Sequence, residues 1–233
     1  MKKRTVVYIG NANCYHMMKL AAKSLLAHTR VDRIYFLIDD EKFPVPLPDV
    51  ITCIDVRDQP FFPDGCPNVR DFYGYVTLLR SVLSKILDED EVLLLDPDTL
   101  VDGPLDDLFE TNLDGYYFGA VLETRNSYHE LQPYFNAGVM LMNLKKFREE
   151  RLDDRIIQAL NERWFLHLEQ DALNELCRRE ILELPSDYSA SFVTEETENR
   201  IIRHFLSYDK RYFIREAKRY SRMTWEAVLR CAE

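Results

Sequence analysis

The chain has 233 residues, 46% apolar and 30% charged, with a net charge of −10. That composition is ordinary for a globular domain with a buried core and excludes a disordered chain. The charge is uneven: residues 201–233 carry eight Lys/Arg against four Asp/Glu, so the remaining 200 residues sum to −14, and an acidic body of that kind repels nucleic acid. Five scattered cysteines (Cys14, Cys53, Cys66, Cys177, Cys231) form no C-x-x-C pair, which suits a reducing cytoplasm and offers no zinc signature. The apolar run Thr5–Ile9 stops at Gly10-Asn11, too short for a signal-peptide core, and no stretch approaches the roughly 18–20 apolar residues of a membrane span. The expectation is a cytoplasmic protein.

Along the chain, short β-branched or aromatic runs alternate with segments of helical period. Val6–Ile9 reads as a strand, and Met17–His28 as a helix with Met18, Leu20, Ala21 and Leu25 toward one face. Ile34–Ile38 and Ile51–Val56 are further strands, joined across Phe43–Pro48, whose alternate prolines forbid a helix. Phe72–Leu87 has the pattern of a long helix, through Val76, Leu79, Leu83 and Leu87. Val92–Leu95 is continuously apolar, as expected of a strand buried on both faces, and Tyr117–Leu122 and Val139–Met142 repeat that character. Asp154–Phe165 and Gln170–Arg178 read as helices. This alternation predicts an α/β fold with a mostly parallel central sheet flanked by helices, one domain over 1–211, and a short basic, aromatic helical tail over 212–233.

The stretch richest in chemistry is Val92-Leu-Leu-Leu-Asp96-Pro-Asp98-Thr-Leu100. A buried strand delivers two carboxylates at its carboxyl end, where open α/β sheets place ligands. On a strand, residues i and i+2 share a face, so both acids reach one point, and like charges converge there only around a cation. A divalent metal with a nucleotide diphosphate is the reading that explains the spacing. A strand running into a polar turn is the bland one. An apolar strand followed by Asp-x-Asp-x-Thr also opens haloacid-dehalogenase-like phosphatases, but here some 90 residues precede it and no G-D-x-x-x-D follows.

Three landmarks come later. Tyr134-Phe-Asn136-Ala137-Gly138 places small residues at the opening of a buried strand, where backbone and the Asn136 amide can approach a ligand. Leu168-Glu169-Gln170-Asp171-Ala-Leu-Asn174 sets acids and amides at a helix start, and Ile201-Ile-Arg-His204 leads to Ser207, Lys210, Arg211 and Tyr212. In order, these resemble glycosyltransferase family 8, retaining enzymes that include bacterial lipopolysaccharide galactosyl- and glucosyltransferases and glycogenin. The family pattern is an apolar strand with D-x-D, then F-N-A-G-V-x-L-x-N-L-K-K-W, then D-Q-D-x-L-N, then H-x-x-G-x-x-K-P-W.

The resemblance implies a GT-A type, Rossmann-like nucleotide-binding domain and a hexosyltransferase that uses a UDP-hexose donor, galactose or glucose. It implies Mn²⁺, with Mg²⁺ the alternative, on Asp96, Asp98 and His204, and Lys210 on the diphosphate. Asn11 and Asn13 match positions that touch base and ribose, Arg80 a family arginine near the donor, and Asn136 and Ala137 the donor-side turn. Glu123, Glu169 and Gln170 would line the donor sugar. The residue beneath the anomeric carbon is Gln170, a poor nucleophile, so front-face attack is favoured over a glycosyl-enzyme. The family glycine is Ser207 here, Pro-Trp is Arg211-Tyr212, the first acid of D-Q-D is Glu169, and a base-stacking tyrosine aligns with Cys14. The acceptor is a saccharide or lipid-linked glycan, touched through the loops Arg57–Asn68 and Arg125–Pro133. A protein that binds nucleotide sugar without turnover is the other class. The tail mixes Tyr212, Phe213, Tyr220 and Trp225 with arginines and lysines, which suits contact with an anionic membrane or, equally, a helix packed on the domain.

Overall fold

The computed structural model describes residues 2–70, 74–125, 131–206 and 210–232. Nine strands are present among them: β1 (Thr5–Gly10), β2 (Arg33–Ile38), β3 (Ile51–Asp55), β4 (Glu91–Leu95), β5 (Thr99–Val101), β6 (Phe118–Leu122), β7 (Phe135–Asn143), β8 (Ile181–Leu184) and β9 (Ile202–His204). Seven form one sheet in the order β3-β2-β1-β4-β7-β6-β8. The pairs β2/β3, β1/β2, β1/β4 and β6/β8 are parallel, and β7 runs against both its neighbours, β4 and β6. The sheet is therefore mostly parallel, as its sequence predicts, with one reversed strand near the centre.

The near-continuous apolar strands are explained by burial on both faces. Val6, Tyr8, Leu93, Leu95, Val139 and Leu141 point into one core with α1 (Tyr15–His28), while Val7, Ile9, Leu94, Met140 and Met142 point into a second. The second core is closed by α2 (Val76–Leu79), and later by α4 (Leu144–Glu149), α5 (Leu152–Glu162) and α6 (Leu168–Cys177), with α3 (Asp106–Phe109) on the first.

Several boundaries differ from expectation. The long helix over Phe72–Leu87 is not formed: α2 passes into a 3-10 helix, Arg80–Lys85, broken at Val82 (φ −129°, ψ 29°), and residues 71–73 lie outside the described chain. The apolar period survives because Leu78, Leu79, Val82 and Leu83 are all fully buried; packing holds them without a continuous α ladder. Helix α5 ends at Glu162, since Arg163 turns to extended backbone. The turn expected at Asn136-Ala-Gly138 is instead the first part of β7.

The C-terminal segment forms α7 (Lys210–Glu216), α8 (Lys218–Ser221) and α9 (Trp225–Leu229). Phe213, Ala217, Tyr220 and Val228 are buried in the same cluster as α1, and Met223 and Trp225 pack against it. Lys23 of α1 is the clamp: its Nζ donates to the carbonyls of Tyr220 (3.4 Å) and Met223 and lies 5.0 Å from the Trp225 ring. The tail aromatics are thus spent largely on the domain, and the expected membrane contact is left unsupported. No helix among the described residues is long and apolar enough to cross a membrane.

Candidate functional site

A cleft of about 1080 Å³ opens at the carboxyl ends of β1 and β4 and the beginning of β7, lined by Gly10, Asn11, Asp96, Asp98, Gly138 and His204 among others. This is where parallel sheets place ligands, because strand ends and following loops leave polar backbone uncovered there. Arg80, Glu123, Asn136, Glu169 and Gln170 also face it.

Asp96 and Asp98 do not share a strand face. They occupy the turn between β4 and β5, closed by the Thr99 N–H and Thr99 Oγ1 donating to the Asp96 carbonyl (3.1 and 2.8 Å). Convergence comes from β9, whose antiparallel pairing with β5 sets His204 opposite Thr99. His204 Nε2 then lies 3.5 Å from Asp96 Oδ2 and 3.4 Å from Asp98 Oδ1. One ligand atom from each of the three residues fits within a span of 4.8 Å.

The local charge is tightly set. Asp96 Oδ1 pairs with Arg80, whose Nε reaches Glu169 Oε1 at 2.5 Å. Burial alone would raise the Asp96 pKa, but Arg80 and His204 outweigh it and hold the carboxyl at about 2. Burial likewise disfavours the His204 imidazolium, yet the flanking carboxylates, Asp98 foremost, push its pKa up to about 9. For Glu169 burial wins over Arg80, and its pKa is raised. Physically, two close carboxylates call for positive charge, and Arg80 and the His204 ring are the groups beside them.

The residues fit a divalent metal. Two carboxylates and an imidazole make the oxygen-plus-nitrogen set suited to Mn²⁺ or Mg²⁺, and neither ring nitrogen of the buried His204 has a hydrogen-bond partner. Gly138 leaves the space for that ring, and this accounts for the glycine better than close approach of a ligand to backbone does: a Cβ there would meet His204 Nε2 at 2.6 Å.

A second group lines the same cleft. Asn136 Nδ2 donates to Glu123 Oε1 (2.8 Å), as does Gln170 Nε2 (3.2 Å). Gln170 Oε1 accepts from the Ala137 N–H (2.8 Å), and Asn174, one turn on, exchanges hydrogen bonds with both backbone groups of Phe135. The amides of the Glu169–Asn174 stretch therefore tie α6 to β7. Asp171 is engaged by Tyr134 OH (2.5 Å) and the His167 N–H (2.8 Å). Glu169 is 1% exposed, and its Oε2 has no partner.

Of the other positions singled out in the sequence, Asn11 lines the cleft and its Oδ1 accepts from the Asn13 N–H (3.1 Å), while Asn13 itself is exposed. Cys14 lines the cleft where a base-stacking tyrosine was sought. Lys210 begins α7, but its side chain, like Ser207, lies outside the described residues. Sequence reasoning missed Arg70, Leu166, Phe192 and Leu206, all facing the cleft; loop residues from distant elements carry no periodic signal. Leu168 and Leu206, both in the cleft wall, take left-handed backbone (φ 55° and 52°), a conformation uncommon for leucine and concentrated at functional sites.

Comparison with known proteins agrees with this geometry. Glycosyltransferase GlyD of Streptococcus pneumoniae serotype 4 is 27% identical over 96% of this chain, which covers 30% of GlyD. GlyE of the same organism is 30% identical over 80% of the chain and 48% of GlyE. The chain thus spans about a third of GlyD and about half of GlyE. The GlyE crystal structure superposes with a TM-score of 0.75 at 23% identity, covering 99% of this chain and 63% of that one. Galactosyltransferase LgtC, solved with donor and acceptor sugar analogues, superposes at 0.69 with 22% identity over 95% and 98% of the two chains. The fold is that of GT-A glycosyltransferases, as expected. The model of glycosyl transferase family 8 matches residues 66–219, a span that holds both aspartates, the Asn136–Gly138 segment and His204, and the chain belongs to that family.

Proposed function

We propose that this chain transfers a hexose, galactose or glucose, from a UDP-sugar to a saccharide or lipid-linked acceptor with retention of anomeric configuration, in the cytoplasm. The observation that carries the reading is the cleft itself, lined both by Asp96, Asp98 and His204 and by the Glu123–Asn136–Gln170 network. Asp96, Asp98 and His204 would hold Mn²⁺, or Mg²⁺ in its place, and the bound metal would neutralise charge on the departing diphosphate. Asn11 and Asn13 would meet the nucleoside, Asn136 and Ala137 the donor sugar, and Lys210 the phosphates.

The chain's own residues favour front-face attack. Gln170 spends its amide oxygen on the Ala137 N–H, so no nucleophile is offered from that position. Glu123 accepts from both Asn136 and Gln170, which orients its carboxylate toward sugar hydroxyls. Glu169 Oε2, buried and without a partner, is set to accept from another hydroxyl. Arg80 joins Glu169 to Asp96, so the sugar-side and metal-side groups share one guanidinium.

Calorimetric titration with UDP, with and without Mn²⁺, on the parent chain and Asp98→Asn tests the reading. Metal-dependent binding lost in the variant supports it, and binding without any release of free sugar from a UDP-hexose would reduce it to a binding protein. No UDP binding by the folded chain would overturn it.

A further inference from the structure

The most exposed large apolar side chains among the described residues are Trp164 (61%), Phe192 (59%) and Leu166 (58%), ahead of Tyr212 at 45%. Leu166 and Phe192 line the cleft, and Trp164 is stacked on Arg70, which lines it as well, with the guanidinium 5.1 Å from the ring centroid. Isolated exposed apolar residues are normal; two that line one cleft, with a third stacked on an arginine of its wall, are less so.

These side chains are held there by buried scaffolding. Asn68, fully buried, donates to the carbonyls of Leu160 (2.6 Å) and Arg163 (2.7 Å) and accepts from the Phe165 N–H (2.9 Å). Arg70 adds hydrogen bonds to the carbonyls of Leu166 (3.1 Å) and Phe165. On the other side, fully buried Thr194 accepts from the Ser191 N–H (3.1 Å) and donates to the Ser189 carbonyl (3.0 Å), fixing the loop that carries Phe192. A chain that uses a buried Asn, a buried Thr and an Arg to fix loops whose apolar tips face water has prepared a surface in advance. Such preordering lowers the entropic cost of binding.

We infer that Trp164, Leu166 and Phe192 form the acceptor platform, a ledge that takes the apolar C–H face of a pyranose ring. This deepens the transfer reading and rests on it. An uncharged sugar ring offers one face of C–H groups and a rim of hydroxyls, which matches an indole stacked on Arg70 and a phenyl ring on the same cleft. The ledge is continuous with the cleft in which the donor would lie, and transfer needs two sugars to meet there. Acceptor contact then comes from loops after α5 and before β9, with Asn68, from the loop expected to touch acceptor, as the buried anchor.

The chain has two tryptophans, so Trp225→Phe leaves Trp164 as the sole indole. In that background, with UDP and Mn²⁺ present, methyl β-glucoside, methyl β-galactoside and methyl N-acetyl-β-glucosaminide are titrated to about 50 mM, as weak monosaccharide affinity requires. At least one is expected to change Trp164 emission saturably, and Phe192→Ala should weaken that binding about five-fold or more, while UDP affinity stays within about two-fold. The platform is overturned if UDP binds but no glycoside alters the emission, or if Phe192→Ala leaves glycoside affinity unchanged. It is also overturned if sedimentation reveals a dimer that Trp164→Ala dissolves, which would make the ledge a self-association surface. Failure of UDP to bind at all would remove the transfer reading, and the assignment of a sugar to the ledge with it.

Discussion

The imidazole of His204 rests against Gly138 so closely that a Cβ on that glycine would fall 2.6 Å from Nε2 and 2.8 Å from Nδ1. The two residues come from strands in different sheets, β9 and β7, and the missing side chain of one is the seat of the other. Gly138→Ala is therefore expected to displace the ring, abolish metal binding in calorimetry, and cost about 1–3 kcal/mol in urea unfolding from overpacking. His204→Ala should abolish metal binding as well but leave the backbone of β7 undisturbed. Metal affinity within about three-fold of the parent chain in Gly138→Ala would show that the site tolerates a shifted ring.

Arg80 stands between the half-buried carboxylate of Asp96 and the buried one of Glu169. Removing its charge leaves the buried Glu169 uncompensated and Asp96 with His204 alone, so Arg80→Met should lose about 3 kcal/mol of stability at neutral pH. Arg80→Lys should restore little, because one ammonium does not span both partners as a planar guanidinium does. Adding Glu169→Gln to Arg80→Met should recover part of the loss. A double-mutant cycle with no coupling between positions 80 and 169 would contradict the bridge.

Lys23 clamps the C-terminal helices by donating to the Tyr220 and Met223 carbonyls beside the Trp225 ring. Lys23→Met is expected to lower stability by about 1–2 kcal/mol, to red-shift the fluorescence of Trp225 in a Trp164→Phe background, and to speed tryptic cleavage near Arg222. Unchanged emission and cleavage would mean that Phe213, Tyr220 and Val228 hold the segment unaided.

Asp153 is buried in the first turn of α5, with Ser84 Oγ donating to Oδ2 and no partner on Oδ1. Burial raises its pKa despite the Ser84 hydrogen bond. The sign follows: the unfolded chain releases this proton first, so the folded state loses stability as pH rises through the window from the ordinary carboxylate pKa, about 4, to the raised value in the folded protein. Asp153→Asn should remove that loss, so the stability of the variant relative to the parent should climb across the window and then level off. A difference that is flat with pH would show that the group is not strained by burial.

Much of the candidate site was legible because its residue types are chemically constrained. Two carboxylates at the end of a buried strand, a small-residue segment opening another, and an amide-rich helix start were readable in order along the chain, as was the mostly parallel sheet. The reasons were less so. Asp96 and Asp98 meet through a turn rather than a strand face, and the apolar period over 72–87 concealed a broken 3-10 path at Val82.

Hydrophobic run length and ligand type are local properties, so the order of amino acids alone marked the strands buried on both faces and the side chains with the chemistry to hold a cation. That His204 reaches the aspartates emerges in the folded chain alone, since it depends on β9 pairing with the three-residue strand β5. The same holds for Gly138 as the seat of the imidazole, for Arg80 bridging Asp96 and Glu169, and for Leu166 and Phe192 lining one cleft. Each joins residues tens of positions apart, and no local propensity or spacing encodes which distant segments pack together.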